Sequence, residues 1–233
     1  VAIARNLCKC SHVRFVTTEH NTTNRRRSSF LFQHLDLWMY RQYDSIVSIS
    51  DQATINLQNA IGIGFGIKTI YNGIDLQRFI HAIPLKQDVQ LKKGAGDFVT
   101  SMVAGFRKQK DQDTLIQALK YLPKECKLWL VGDGERRAIC EDLVQNLDLS
   151  DRVTFAGIRT DIPNILKSSD VIVMSSHWEG LSLSSIEGMS VGKPFIASDV
   201  DGLHEIVEGN GILFPHQNEK ALADVILGVM EKP

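Results

Sequence analysis

The sequence predicts an α/β protein built around a doubly wound, parallel β-sheet. Over residues 98–233, short apolar runs typical of buried strands alternate with segments of helical periodicity. Two of these runs are Val171–Met174 and Phe195–Ser198, and another ends at the glycine turn Gly132-Asp-Gly134. Strands that alternate with helices pair in parallel, with the helices on both faces of the sheet.

Each predicted element follows from a local pattern. Apolar or β-branched runs predict strands, and apolar residues at helical spacing predict helices, with Ser50 or Asp51 as the cap of the second helix. The turn signal Asn72-Gly73-Ile74-Asp75 follows the third strand. In chain order, the predicted strands are 13–18, 44–50, 67–71, 98–104, 127–131, 153–156, 171–174 and 195–198, and the predicted helices are 30–41, 51–60, 112–121, 135–146, 161–167, 185–191 and 219–232.

The patterns divide the chain into two units. Between residues 83 and 97 the periodicity dissolves into Pro84, several lysines and Gly94-Ala-Gly96, which is typical of a connection between domains. We therefore predict a first Rossmann-like unit at 1–82, a connection at 83–97 and a second Rossmann-like unit at 98–233.

Composition excludes several classes of protein. A net charge of −1 argues against a broad nucleic-acid surface. Four cysteines in 233 residues do not make a disulfide framework and suggest a reducing compartment, and the pair Cys8 and Cys10 has no second Cys/His pair with which to hold a metal. No membrane span or signal peptide is recognisable. Both ends look cut, so we expect a longer gene product.

The stretch from His177 to Glu205, which begins with a loop, has the features of a ligand site. It follows an apolar strand and leads into a helix, and this edge of an open α/β sheet is where ligands bind. Unpaired N–H groups at a helix start suit a phosphate, and Gly180 allows a close backbone approach. Glu179 and Glu187 flank the turn; Gly180 indicates that Glu179 lies in the loop and Glu187 on the helix. The simpler interpretation is two exposed glutamates.

Four loops of the second unit should share one rim of the sheet, because each follows a strand: 105–111, 132–135, 157–160 and 175–184. The first supplies the cations Arg107, Lys108 and Lys110, and the last supplies a helix start and two carboxylates. Together they describe a site for a nucleotide diphosphate with a polar group attached. The cations alone are also compatible with a solvated loop. Gly132-Asp-Gly134 lacks the third glycine of a dinucleotide fingerprint, so a dehydrogenase is poorly supported.

The segment from Glu179 to Pro194 closely resembles the E-x7-E signature of retaining glycosyltransferases of family 4, which have the GT-B fold. The resemblance extends along nearly the whole chain. Its further segments are Tyr71 to Phe79, similar to the interdomain NGID segment of that family, Val131 to Gly134, Phe155 to Gly157, and Gly202 to Glu205. The resemblance implies that 98–233 is the nucleotide-sugar donor domain, and that 1–82 is the C-terminal part of the acceptor-side domain.

The resemblance also implies roles for individual residues. Glu187 would hold the ribose hydroxyls, Glu179 the hydroxyls of the donor sugar, and Lys110 would neutralise the leaving diphosphate. Other roles are implied for backbone groups and for one histidine: Gly180, Leu181, Ser182 and Leu183 at the distal phosphate, Gly157 and Ile158 at the base, and His20 facing the cleft.

Two departures from the family pattern stand out. Gly105 occupies the position where the family usually has arginine, and we infer that Arg107 replaces it. The chain also lacks most of the first domain and the C-terminal helix that crosses back to it, so by itself it is expected to bind the nucleotide portion at best.

The expected function is transfer of a sugar from a UDP- or GDP-sugar to a glycan or lipid-linked acceptor, with retention of anomeric configuration and without a metal or other cofactor. Polysaccharide biosynthesis in the cytoplasm, at the cytoplasmic face of the membrane, fits this activity. Arg25–Arg27 is either a peripheral membrane contact or a solvated helix start. Two alternatives remain open: a non-catalytic nucleotide-sugar-binding module or inactive fragment, and an epimerase of GT-B architecture, which would need further carboxylates.

Overall fold

The computed structural model describes residues 3–5, 12–20, 30–62, 66–86 and 88–231. It divides the chain into two compact units, 1–73 and 74–233, so the boundary falls before the predicted connection at 83–97. Cys8, Cys10 and Arg25–Arg27, to which the sequence analysis gave a metal or membrane interpretation, lie outside the described residues.

The first unit contains a small parallel sheet. Its elements are β1 Val16–Glu19, α1 Phe30–Tyr40, β2 Ser45–Ser48, α2 Asp51–Ile61 and β3 Ile67–Thr69. The strands pair in the order β1-β2-β3. Ile46, Leu57 and Ile61 form the apolar core between β2 and α2. The predicted cap is confirmed, since Ser50 Oγ accepts a hydrogen bond from the Ala53 backbone N–H at 3.1 Å.

The second unit contains a six-stranded parallel sheet. Its strands are β4 Phe98–Val103, β5 Cys126–Val131, β6 Val153–Gly157, β7 Val171–Met174, β8 Phe195–Ser198 and β9 Ile212–Phe214, paired in the order β6-β5-β4-β7-β8-β9. The chain thus runs outward from β4 to β6 and then returns to β7 on the other side of β4. This reversal is the topological switch point of a doubly wound sheet, where a crevice opens at the strand carboxyl ends. The predicted α/β class and doubly wound sheet are confirmed.

Helices cover the second unit's sheet. They are α3 Leu76–Ile80, α4 Gln112–Ala118, α5 Arg137–Asn146, α6 Ile162–Ser168, α7 Leu183–Ser190, α8 His204–Val207 and α9 Glu219–Met230, and single 3₁₀ turns occur at Lys108–Lys110 and Leu119–Tyr121. The predicted elements are found within a few residues of their expected ends. The sequence analysis missed α3, α8 and β9, because elements of five, four and three residues carry too little periodicity to be recognised.

The central strands β4, β5, β7 and β8 are buried, as their near-continuous apolar sequences predict. On one face, part of the predicted connection packs against the sheet, since Leu91 lies in a buried cluster with Val99 and Trp129. Among the described residues, no helix combines the length and the apolar character needed to cross a membrane.

Candidate functional site

The switch point between β4 and β7 brings two of the predicted site residues into contact. Lys110 ends the 3₁₀ turn that follows β4, and Glu179 lies in the loop that follows β7. Lys110 Nζ is 2.5 Å from Glu179 Oε1, and the two side chains are only 17% and 6% exposed. The sequence placed both residues on one rim, and the structure joins them as a largely buried ion pair.

Further hydrogen bonds fix the Glu179 carboxylate. Its Oε1 atom also accepts from Ser176 Oγ at 2.6 Å. The other oxygen, Oε2, has a single long contact, 3.5 Å from Gln109 Nε2, which also donates to the Trp178 carbonyl at 2.7 Å. Among the described residues, Oε2 therefore keeps most of its acceptor capacity. Ser176 and Gln109 were not predicted as site residues; both lie next to predicted rim positions.

A glycine turn supports the backbone of the Glu179 loop. The Glu179 N–H donates to the Asp201 carbonyl at 3.1 Å. Gly202 adopts φ +80°, and a Cβ there would lie 2.2 Å from the Glu179 carbonyl oxygen and 2.5 Å from that of Gly180. Only glycine fits so close an approach. The side chain of Glu205 accepts from the Gly202 N–H at 2.7 Å, which gives the Gly202–Glu205 motif a local structural role.

The start of α7 presents free backbone donors beside Glu179. The helix begins at Leu183, two residues earlier than predicted, because Ser182 is its N-cap and accepts from the Ser185 N–H. No described residue accepts a hydrogen bond from the backbone N–H groups of Gly180, Leu181, Ser182 or Leu183. Several unpaired N–H groups at a helix start form a favourable site for an anion.

Glu187 lies on α7, as predicted, and is held quite differently from Glu179. It is half-buried, and no described side chain or backbone group donates a hydrogen bond to it. Burial raises the pKa of its carboxyl, an effect partly opposed by the positive charge of Arg78. Arg78 lies on α3, which packs against α7, and its guanidinium donates to the Thr160 carbonyl at 2.8 Å. Arg78 was not singled out from the sequence, although it lies within the NGID-like segment.

The loops after β4 and β5 approach each other closely. A Cβ at Gly132 would lie 2.2 Å from the Ala104 carbonyl oxygen, and a Cβ at Gly134 would lie 2.5 Å from that of Phe106. Only glycine leaves room for this close contact between the two loops, so the Gly132-Asp-Gly134 segment acts as a tight βα turn. Gly105, in contrast, has only the Asp133 carbonyl at 3.6 Å, so a side chain would fit there. Arg107, two residues further along the chain, is exposed.

The loop after β6 contains the two residues predicted to meet a base. Gly157 has φ +65° and accepts a hydrogen bond from the Gly132 N–H at 2.8 Å. Ile158 is 81% exposed. The next residue, Arg159, is anchored by ion pairs of 2.6 Å to Asp88 and 2.8 Å to Asp161. Ile158 is thus presented to solvent from a fixed turn.

Two other features lie outside this constellation. His20 directly follows β1 in the first unit and is exposed, so its predicted role in a cleft stays a prediction. A cavity of about 900 Å³ lies beside the amino ends of β7 and β8, lined in part by Trp129, Lys93 and Lys193. None of the predicted site residues lines it. The described part of the chain also brings Asp111, His177 and His216 together, a cluster that the sequence analysis did not foresee.

Comparison with protein families covers nearly the entire chain. Residues 85–233 match the family described as glycosyl transferases group 1, and residues 1–78 match glycosyltransferase family 4. The chain belongs to the group 1 glycosyl transferases. The family resemblance drawn from the E-x7-E segment is thereby confirmed.

Two curated relatives give the scale of the similarity. The chain is 35% identical over 189 residues to the UDP-Gal:alpha-D-GlcNAc-diphosphoundecaprenol alpha-1,3-galactosyltransferase of Escherichia coli, covering 71% of this chain and 48% of that protein. It is 29% identical over 204 residues to the N-acetyl-alpha-D-glucosaminyl L-malate synthase of Bacillus anthracis, covering 84% and 52%. The chain thus spans about half the length of the curated relatives it matches.

Solved structures of similar proteins confirm the fold. Anabaena HepE in complex with UDP and glucose superposes with a TM-score of 0.85 at 26% identity, over 99% of this chain and 65% of that one. Sucrose-phosphate synthase from Thermosynechococcus elongatus gives 0.81 at 25% identity, over 99% and 62%. This group 1 glycosyl transferase chain therefore has a fold of GT-B type.

Proposed function

We propose that this chain is the nucleotide-sugar-binding part of a retaining glycosyltransferase. The observation that carries the proposal is the meeting of Lys110 and Glu179 at the switch point, beside the free N–H groups of residues 180–183. A cation and a row of N–H donors match the phosphates of a sugar diphosphate, and a carboxylate with one weakly engaged oxygen matches a sugar hydroxyl. UDP and glucose bound to HepE, and UDP-Gal in the name of the E. coli relative, favour a UDP-sugar over a GDP-sugar.

The two structural units take different parts in this proposal. Residues from the second Rossmann-like unit, 98–233, form the donor site, and 83–97 is the connection that precedes it. Residues 1–82 belong to the acceptor side, where His20 follows a strand and is exposed to an incoming acceptor. The family matches, which change near residues 78 to 85, support this division.

The phosphates would bind between the α7 start and the β4 loop. The N–H groups of Gly180, Leu181, Ser182 and Leu183 receive the distal phosphate, and the macrodipole of α7 adds to the attraction. The Lys110 ammonium has three donors, of which Glu179 engages one, so it can also donate to the diphosphate. Arg107 supplies the second cation in place of the arginine missing at Gly105.

The nucleoside would lie along α7 and the β6 loop. Glu187 is half-buried and has no hydrogen-bond donor among the described residues, which suits a carboxylate that accepts two ribose hydroxyls. The base would contact the backbone near Gly157 and the exposed side chain of Ile158. The exposed Ile158 side chain could pack against the apolar face of the base.

Transfer would proceed with retention of configuration: the acceptor hydroxyl oxygen would form the new bond to the anomeric carbon on the face that the diphosphate leaves, and the hydroxyl proton would pass to an oxygen of the leaving diphosphate. As the bond to the diphosphate breaks, negative charge grows on the phosphates and positive charge on the sugar, so Lys110, Arg107 and the α7 start stabilise the leaving group. Two charge-assisted hydrogen bonds that strengthen in the transition state, at about 1.5–3 kcal/mol each, correspond to roughly 10²–10⁴ in rate. Glu179 Oε2 would hold a sugar hydroxyl and orient the ring. We assign no enzymic nucleophile to this site.

The acceptor would be a glycan or a lipid-linked sugar, as in the name of the E. coli relative, which contains GlcNAc-diphosphoundecaprenol. Such an acceptor supports work at the cytoplasmic face of a membrane in polysaccharide biosynthesis. A non-catalytic binding module is the competing function, and the glycine at position 105 favours it because it removes a phosphate-binding arginine.

Calorimetric titration with uridine, UMP and UDP tests the donor site. The chain should bind UDP at least tenfold more tightly than UMP, since the distal phosphate meets the N–H groups and Lys110. Lys110→Met should lower the ratio of the UDP affinity to the UMP affinity, whereas Lys108→Met, at an exposed position, should leave this ratio unchanged. Equal affinities for the three ligands would contradict the site. For catalysis, NMR of the glycoside formed by the full-length protein should show the anomeric configuration of the donor. Inversion would contradict the retaining mechanism, and no turnover would favour the non-catalytic binding module.

A further inference from the structure

Three potential metal ligands converge behind the Lys110–Glu179 pair. Asp111 directly follows Lys110, His177 precedes Glu179 by two residues, and His216 lies in the loop after β9. His177 Nδ1 is 2.8 Å from His216 Nε2 and 3.6 Å from Asp111 Oδ2, and all three ligand atoms lie within 4.8 Å of one another. Three separate loops of the second unit thus bring two imidazole nitrogens and one carboxylate oxygen close together.

A hydrogen-bonded chain accounts for this arrangement only in part. The single nitrogen His177 Nδ1 faces both the other ring and the carboxylate, yet it can carry only one proton. That proton can serve the 2.8 Å contact with His216, and the 3.6 Å separation from Asp111 Oδ2 is too long for a hydrogen bond. The nearest bond that Asp111 Oδ2 accepts comes from Thr114 Oγ1, at 2.7 Å.

Two of the three ligand separations are instead close to the spacing of ligands around one ion, and the third is at most 4.8 Å. With metal–ligand bonds of about 2.0 Å in a tetrahedron, neighbouring ligand atoms lie about 3.3 Å apart. The two observed separations, 2.8 and 3.6 Å, lie on either side of that value. A small rotation of the exposed His216 ring would lengthen the 2.8 Å separation toward that value without moving the buried Asp111.

We propose that Asp111, His177 and His216 form a binding site for a divalent first-row transition metal of the Zn²⁺ type. Two imidazoles and one carboxylate are a donor set that suits Zn²⁺, whereas Mg²⁺ and Ca²⁺ require oxygen ligands throughout. Asp111 is buried and His216 is exposed, and three protein ligands would leave the fourth position of a tetrahedral ion for water. A cavity of about 350 Å³ opens on Asp111 and His177 and gives the ion a path of entry.

The ion would act as a clamp on the neighbouring site. It would join the loops after β4, β7 and β9, and the first two of these carry Lys110 and Glu179. The role is structural and independent of the proposed sugar transfer, so the metal site can be tested whether or not the chain binds UDP.

Spectroscopy with Co²⁺ tests the site in the tag-free chain. We expect one Co²⁺ per chain, a visible absorption band of a four- or five-coordinate ion, and its displacement by Zn²⁺ but not by Mg²⁺. Co²⁺ should also quench the fluorescence of Trp178, whose ring stacks beside His177 at 6.0 Å between centroids. A hundredfold excess of Zn²⁺ over its Kd should raise the Tm by roughly 5 °C.

Matched variants decide the ligand set. His216→Gln, at an exposed position, and Asp111→Asn, which tolerates the left-handed backbone at φ 49°, should each weaken Co²⁺ binding at least tenfold. His204→Gln should leave it unchanged, because the two carboxylates near His204 contact different ring nitrogens and cannot share an ion with it. The double variant Cys8→Ser, Cys10→Ser should keep the band. Equal binding by wild type and His216→Gln, or loss of the band with the cysteines, would overturn the proposal and leave only a hydrogen-bonded histidine pair.

Discussion

The two glutamates of the E-x7-E segment are eight residues apart in the sequence and lie in opposite environments. Glu179 is in a loop, buried, paired with Lys110 and hydrogen-bonded by Ser176. Glu187 is on α7, half-buried, and has no hydrogen-bond donor among the described residues. The protein itself fixes the first carboxylate in place. The second is half-buried, and no described group donates a hydrogen bond to it. This arrangement favours a ligand that brings its own hydrogen-bond donors.

The two glutamates of the motif are therefore suited to different roles. A fixed carboxylate can orient a reacting group, because its position is set before the ligand arrives. A carboxylate that lacks donors gains most from binding, because ligand hydroxyls satisfy it. Substitutions at Lys110, Gly202 and Glu187 test this contrast, with decreasing expected effects on stability.

Lys110→Met should cause the largest loss. It leaves the Glu179 charge buried with only neutral donors, and breaking a buried pair typically costs about 3–5 kcal/mol. Urea denaturation of the chain measures this as a fall in the unfolding midpoint. The exposed Lys108→Met is the matched control and should change stability by less than about 0.5 kcal/mol. The double variant Lys110→Met, Glu179→Gln should recover much of the lost stability. A loss under about 1 kcal/mol in Lys110→Met alone would mean that the pair behaves as a surface ion pair.

Gly202→Ala should cause the second-largest loss of stability, because it disturbs the backbone of the Glu179 loop. The new Cβ would collide with the Glu179 and Gly180 carbonyl oxygens, in addition to the strain of φ +80°. Gly209→Ala is the control, since Gly209 has φ +76° with nothing within 4 Å and isolates the conformational cost of about 1–2 kcal/mol. We expect Gly202→Ala to cost about 2 kcal/mol or more beyond the control. Equal thermal stability of the two variants would show that the turn does not hold the loop.

Glu187→Gln should have the smallest effect on stability, and that effect should depend on pH. Burial raises the pKa of Glu187 above its usual 4.5, so folding favours the protonated form. The stability from this group is present below about pH 4.5 and is lost as the pH rises through the raised pKa. The Gln variant lacks this loss. Between pH 4 and 8, its unfolding midpoint should therefore rise relative to that of wild type as the pH rises. A difference that stays constant or narrows with pH would contradict the assigned environment.

Much of the fold follows from the sequence, because strands such as Val171–Met174 and Phe195–Ser198 are short apolar runs with clear ends. The α7 start was placed two residues late, since a single serine cap decides it and several serines compete for that position. The short elements α3, α8 and β9 depend on tertiary packing rather than on local pattern.

The site was partly predictable for the same reason. Lys110 and Glu179 follow strands, and strand ends of a parallel sheet share a rim, so their proximity could be expected. Their pairing, and the support from Ser176 and the Gly202 turn, depend on loop conformations that carry no periodic signal. The meeting of Asp111 with His177 and His216 depends on β9, a strand that was itself missed.

Calorimetric binding of UDP and of UDP-sugars to wild type, Glu179→Gln and Glu187→Gln tests the division between the two glutamates most directly. UDP-glucose, UDP-galactose and UDP-N-acetylglucosamine would be compared, and the tightest ligand used. Glu187→Gln should weaken UDP and the UDP-sugar by the same factor of about ten, or about 1.4 kcal/mol. Glu179→Gln should leave UDP within about twofold and remove the additional affinity that the sugar provides. If Glu179→Gln weakens UDP as much as Glu187→Gln, or Glu187→Gln leaves UDP binding intact, the two carboxylates do not divide the donor as proposed.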